Sequence, residues 1–294
     1  MSDSDRLEVR KTYKLYLGGK FPRTESGRSY LVSEAKGKPW ANACRASRKD
    51  VRDAVVAARK AFPGWAGATA YNRGQILYRV AEMLEGRREQ FVDEVERAEG
   101  TTHRQAGDAV AKAVDRWVWY AGWADKLAQV FGSANPVAGP YFNFSVPEPT
   151  GVVGLVAPAD SSLLGLVSRL APIIVSGNTA VVLASEKRPL PAITLAEVLA
   201  TSDLPGGVVN VLTGFTTELI GPLAAHMDVD ALDLAGLDLA LYKDAELAAA
   251  ANVKRVTAPL RLSARGWLDD RAAADPYWIA AFLEIKTVWH PVGV

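Results

Sequence analysis

Three observations predict an α/β fold built on an open, doubly wound parallel sheet. The first is an apolar run over 152–157 that reads as a strand buried on both faces. The second is the stretch immediately after it. Residues 158–162 interrupt the run, 163–175 form an apolar segment of helical length, and Ser176-Gly177-Asn178 closes that helix before another apolar strand over 179–183. Two parallel strands need such a crossover, and it is right-handed. The third is that the alternation continues, with helices over 191–202, 218–226 and 241–251 and strands over 208–212, 229–234 and 253–257.

Upstream of the sheet, residues 1–10 read as a polar, disordered arm and 13–21 as a hairpin turning at Gly18-Gly19. Strand and loop come next over 30–46. Ser47-Arg48-Lys49-Asp50 resembles a capping box, opening a helix with Val51, Ala54, Val55, Ala58 and Phe62 on one face. Thr69 or Asn72 starts a second helix with Ile76, Leu77, Val80, Met83 and Leu84 as its stripe, and Phe91, Val92 and Val95 mark a third. One long helix is predicted over 104–130, its Trp117, Trp119, Tyr120 and Trp123 filling core. Gly and Pro accumulate over 131–148, and 141–146 alternates as strands do.

Composition sets outer bounds. The chain has 294 residues, 49% hydrophobic and 23% charged, with a formal net charge of +1. That balance is ordinary for a globular protein and points to neither nucleic acid nor an anionic membrane as partner. The start is polar, without the apolar core of a signal peptide, and no uninterrupted apolar stretch reaches spanning length. A single cysteine, Cys44, allows no intrachain disulfide, and a cytoplasmic location is expected.

The order P-x-GVVG-x-x-x-P, LAP, GNT, VVL-x-x-SE and PL across 149–190 resembles the cofactor domain of the aldehyde dehydrogenases. The resemblance extends to YLGGKF, AARKAFPGW, YAGWADK and LPGGVVNVLTG, and returns in FLEIKTVW near the C-terminus. It implies an N-terminal layer of strands and helices over 1–130, an oligomerisation hairpin over 131–148 and a Rossmann-like sheet over 149–258. A short remnant over 259–276 stands where a catalytic domain belongs, with an oligomerisation strand after it over 277–294.

The chemistry that the family implies needs a cysteine thiolate, an asparagine amide for the oxyanion and a glutamate to activate water. The asparagine position holds Asp160, whose ionised carboxylate accepts hydrogen bonds and repels an oxyanion; it is read as a helix N-cap beside Ser161 and Ser162. The glutamate position in the run KRVTAPLR holds Pro259, which exchanges no proton. Cys44 lies in the N-terminal strands and reads as a small buried apolar residue. Ser161, Ser162 and Ser263 have no histidine at triad-like spacing, and His103, His226 and His290 are scattered without metal-ligand spacing. No catalytic and no metal-binding residue is expected.

For the cofactor, the resemblance implies a Lys and a Glu on the adenosine ribose; the corresponding residues are Leu183 and Glu186. A tryptophan near the cofactor corresponds to Ala159, and a pyrophosphate-binding serine at a helix N-terminus to Leu237, which would block approach. Losing two or three contacts of roughly 1–3 kcal/mol each weakens binding by several powers of ten. The expectation is therefore no cofactor, with weak NAD binding through Glu186 as the alternative. Three functions are compatible with this: an inactive scaffold or structural subunit, a NAD-binding sensor or regulatory module, or an oxidoreductase subunit completed in trans. The first is preferred, in a hetero-oligomer with a full-length aldehyde dehydrogenase, since Leu283, Ile285, Thr287 and Trp289 form one apolar side of a strand suited to strand addition.

Overall fold

The computed structural model describes residues 9–293, so the arm expected at the N-terminus lies, for residues 1–8, outside the described residues. Strands β1 (Thr12–Tyr13), β2 (Ser29–Ser33) and β3 (Pro39–Cys44) form a small sheet in the order β1-β3-β2. The predicted hairpin is present: Leu17 and Lys20 exchange backbone hydrogen bonds around Gly18 and Gly19, both at positive φ. Only glycine enters that turn without strain.

Helix α1 (Arg48–Ala66) opens with the capping box, formed by Ser47 and Asp50, and α2 (Ala70–Glu85) with Thr69, whose hydroxyl accepts from Asn72 N–H. Helices α3 (Arg88–Glu99) and α4 (His103–Ala121) complete the layer. The long helix expected over 104–130 is not continuous. It ends at Gly122, a weak helix former, passes through short-range turn bonds and resumes as α5 (Leu127–Phe131). Trp117 and Tyr120 are fully buried in the core, as expected, while Trp119 and Trp123 are only partly buried against it. Strands β4 (Ser133–Asn135) and β5 (Tyr141–Pro149) then pair antiparallel.

The central sheet is laid down by β6 (Val152–Val156), α6 (Leu164–Val175), β7 (Thr179–Leu183), α7 (Leu190–Ala200), β8 (Val209–Leu212), α8 (Thr216–Ala224), β9 (Ala231–Asp233), α9 (Leu239–Ala250) and β10 (Arg255–Thr257). Its order is β10-β9-β6-β7-β8, every pairing parallel, so the predicted doubly wound sheet is present. The two-residue period of the strands divides the core. Val153, Leu155, Ala180 and Val182 face α2, α4, α6 and α7, whereas Val152, Val156, Val181 and Leu183 face α1, α8 and α9. The chain adds β7 and β8 on one side of β6 and β9 and β10 on the other. The winding therefore reverses between β6 and β9, and helices diverge there above the carboxyl ends of the strands.

Beyond β10 the chain runs irregularly over 258–263 and then forms α10 (Ala264–Leu268), α11 (Asp270–Ala273) and α12 (Tyr277–Ala280). This segment is seated on the core: Trp267, Ala273, Ile279 and Phe282 are buried. Arg116 of α4, 1% exposed, holds it by donating to the carbonyls of Trp267 and Ala273 and pairing with Asp270. Burial lowers the Arg116 pKa from its ordinary value. Strand β11 (Leu283–Pro291) pairs antiparallel with β5 from Leu283↔Pro149 to Pro291↔Tyr141, giving a sheet in the order β11-β5-β4. Its outer edge pairs with no other strand among the described residues, and Ile285 and Trp289 are more than half exposed. Among the described residues no helix is long and apolar enough to cross a membrane.

Candidate functional site

Above the β6/β9 switch lies an open crevice of about 610 Å³. Its walls come from the segments that leave the strands: 156–160 after β6, 185–187 after β7, 235–238 after β9 and 260–263 after β10. Gly236 is required here. A Cβ would sit 1.9 Å from the Ala157 carbonyl oxygen, so only glycine lets the 235–237 turn lie against the end of β6.

The wall after β6 corrects one expectation. Asp160 is not the cap of α6: the N-cap position is Leu163, without a side-chain cap bond, and Ser161 Oγ, two residues before it, accepts from Gly165 N–H at 2.9 Å. Ser162 turns away and donates both N–H and Oγ–H to Glu99 at 2.7 Å. Burial raises the Glu99 pKa, partly opposed by these bonds. Asp160 is left exposed on the wall, its backbone carbonyl accepting from Arg188. Asp160 lies too early to cap because α6 begins one turn later, at Leu164, and the bond to Gly165 N–H comes from Ser161.

Glu186 is half-buried where β7 leads into α7. Its Oε2 accepts from the N–H of Thr216, the first residue of α8, at 3.2 Å, and its backbone carbonyl accepts from the Tyr30 hydroxyl. Glu186 lines the crevice, and no described residue is a hydrogen-bond donor to its Oε1.

Leu183 and Leu237 do not obstruct the opening. They are 2% and 3% exposed and pack into the core on the α1, α8 and α9 face, so Leu237 is floor rather than plug. The expectation that Leu237 blocks approach is corrected on that ground: the apolar side chain gains more from burial than from projecting into water. Ala159 stands exposed at the rim, where its carbonyl accepts from Ser185. Pro259 is half-exposed beside Leu260, whose N–H bonds the Ala235 carbonyl.

The other candidates are scattered. Cys44 is 2% exposed at the end of β3, under the Thr213 hydroxyl bond to its carbonyl. Ser263 caps α10. His103 pairs with Glu96 on the helical layer, His226 accepts from Asp228 N–H beyond α8, and His290 is exposed on β11. None of these histidines lines the crevice, and among the described residues no group of three or more His, Cys, Asp or Glu side chains could hold a metal ion.

Two crevice residues were not singled out by sequence pattern, Lys187 and Arg261. Both are exposed, and neither pairs with a carboxylate among the described residues. Lys187 directly follows the Ser185-Glu186 pair, and Arg261 sits between the apolar Leu260 and Leu262, an alternation that signals an outward side chain.

The chain matches the model of the aldehyde dehydrogenase family over residues 22–261. An aldehyde dehydrogenase of Aspergillus niger is 32% identical over 84% of this chain and 49% of its own length. Among solved structures, an aldehyde dehydrogenase from Bacillus cereus in complex with NAD superimposes with a TM-score of 0.78 at 27% identity, over 84% of this chain and 50% of that one. PnpE of Pseudomonas in complex with NAD superimposes with a TM-score of 0.80 at 28% identity, again over 84% of this chain and 50% of the other. The chain thus spans about half the length of the relatives it matches. These NAD complexes overturn the expectation of a protein without cofactor; of the lost contacts behind it, the obstruction expected at Leu237 is removed by its burial, while Leu183 still supplies no cation. The chain belongs to the aldehyde dehydrogenase family.

Proposed function

We propose that the chain is a NAD-binding, non-catalytic subunit that assembles with a full-length aldehyde dehydrogenase. The observation that carries this reading is the open crevice at the switch point, which keeps nucleotide-suited groups while Asp160 stands on its wall and Pro259 beside it. The residues fit a dinucleotide. Glu186 Oε1 offers an acceptor for ribose hydroxyls, Thr216 and Thr217 bring hydroxyls to the same wall, and the leucines lie in the floor.

NAD, when bound, supplies a hydride acceptor. What the chain adds is binding and orientation: Glu186 holds the ribose and stays ordered through Thr216 N–H. Asp160 places negative charge where an oxyanion would need a donor, and Pro259 moves no proton. The sole cysteine is buried away from the crevice, so no thiolate faces a substrate carbonyl. The outer edge of β11, with exposed Ile285 and Trp289, suits addition to a partner's sheet.

Calorimetry with NAD, together with an aldehyde oxidation assay of the purified chain, tests the reading. Saturable NAD binding without turnover is expected. Glu186→Ala is expected to weaken binding about tenfold, as loss of a charged hydrogen-bond acceptor does. Absence of NAD binding, or turnover that survives Cys44→Ala and scales with protein concentration, overturns it.

A further inference from the structure

The crevice contains three carboxylates, Asp160, Glu186 and Asp238, and two cations, Lys187 and Arg261. Elsewhere this chain pairs its cations readily: Arg255 with Glu284, Lys286 with Glu148, Arg45 with Glu218 and Arg59 with Asp230. In the crevice the pairing does not occur. Lys187 and Arg261 have no carboxylate partner among the described residues although acids line the same opening.

The acids are occupied in another way. Glu186 bonds the N–H of Thr216 at the start of α8, and Asp238 caps α9 through Ala240 N–H at 3.0 Å. The N-termini of α8 and α9 at the crevice, which would otherwise attract phosphate, are thereby already served by carboxylates. A phosphate entering here must find its positive charge on side chains.

The two cations are placed to supply it. Lys187 follows β7 and Arg261 follows β10, so they come from opposite sides of the β6/β9 switch. Three strand spacings separate their roots, about 14 Å at the usual interstrand distance, and both are long side chains. Arg261 has a firm base: Leu260 bonds the Ala235 carbonyl, and Leu260 and Leu262 both pack against the main core, leaving Arg261 between them exposed.

We propose that Arg261 and Lys187 together bind the phosphates of the nucleotide. This rests on the nucleotide-binding reading above. The guanidinium contributes a planar fork that matches two phosphate oxygens at once, and the ammonium adds a second point charge.

The experiment is calorimetry of the full chain with NAD, ADP, inorganic pyrophosphate and adenosine, for the wild type, Arg261→Gln, Lys187→Gln and, as a control off the crevice, Arg265→Gln. Each crevice substitution is expected to raise the Kd for NAD and ADP about tenfold, to leave adenosine binding unchanged and to flatten the salt dependence of binding. Arg265→Gln should change nothing. Both residues are exposed, so an unchanged melting temperature checks that the fold is intact. Arg261→Gln and Lys187→Gln proteins that bind NAD and ADP within twofold of wild type overturn the phosphate site while leaving nucleotide binding standing. A wild type that takes ADP but not NAD, with affinity lost in the variants, keeps the phosphate site and sinks the NAD reading. A wild type that binds none of the phosphate ligands overturns both.

Discussion

Arg169 of α6 is locked onto Asp233 at the end of β9, Nε and one terminal nitrogen lying 2.8 and 2.7 Å from Oδ2, and both side chains are buried. Oδ1 of Asp233 accepts from Ala235 N–H and the Thr257 hydroxyl, and the Trp278 ring stacks 4.2 Å from the guanidinium. One ion pair thus joins α6, two strands of the sheet, the crevice turn after β9 and the segment beyond β10.

Breaking that pair from one side is expected to be severe. Arg169→Met strands a carboxylate in the core and should cost about 3–5 kcal/mol in urea unfolding. Arg169→Met with Asp233→Leu should recover part of the loss, because no charge is then left unpaired, though Ala235 N–H and Thr257 lose their acceptor. A double variant no more stable than the single one would refute this account.

Glu94 makes stability depend on pH. It is 6% exposed, one of its oxygens has no partner among the described residues, and burial raises its pKa above the ordinary 4.5 despite bonds from Thr194 and Gln90. The folded state then holds the proton more tightly than the unfolded one, so its contribution is full below pH 4.5 and is lost as pH rises through the folded value. Glu94→Gln should remove that decline. Unfolding curves of wild type and variant across about pH 4–8 should diverge towards the alkaline end; parallel curves would show that Glu94 is not the group responsible.

Aldehyde oxidation by the purified chain is expected to be absent with NAD present. Restoring polar chemistry piecemeal, by Asp160→Asn or Pro259→Glu, should not create turnover, since the only cysteine is buried in β3. Steady-state production of reduced cofactor by either variant is the measurement that would contradict this.

Assembly is tested at the edge of β11. Deleting residues 277–294 is a poor probe, because Ile279 and Phe282 are buried and the Phe282 carbonyl accepts from Asn178 and Thr150. Ile285→Lys with Trp289→Lys alters only exposed positions and should abolish co-purification of an aldehyde dehydrogenase while shifting stability by less than about 1 kcal/mol. Retained capture by the doubly charged edge would place the interface elsewhere.

Much of this protein was legible in its residue pattern. The runs over 152–156 and 179–183, short, largely apolar and bounded by breakers at 158–162 and 176–178, read as strands buried on both faces, and the structure places them so. Ser47 and Thr69 announced their helices because a cap is a local interaction, complete within four residues. The break after Ala121 was less visible, since the apolar spacing continues across it and a single glycine decides the turn. Asp160 was misread as a cap for a similar reason: three polar residues stand in a row, and only the start of α6 shows that Ser161 makes the bond.

The residue pattern by itself determined the strand and helix order of the central sheet and the resemblance to the family, because each depends on neighbours in sequence or on residue identity alone. Tertiary structure decided which side chains share the crevice. Whether Leu237 plugs the opening or lies beneath it, whether Glu186 spends one oxygen on α8, and whether Arg261 and Lys187 line one crevice are all set by segments far apart in the chain converging at one end of a sheet. Side-chain direction there depends on strand order and packing, which no local pattern encodes.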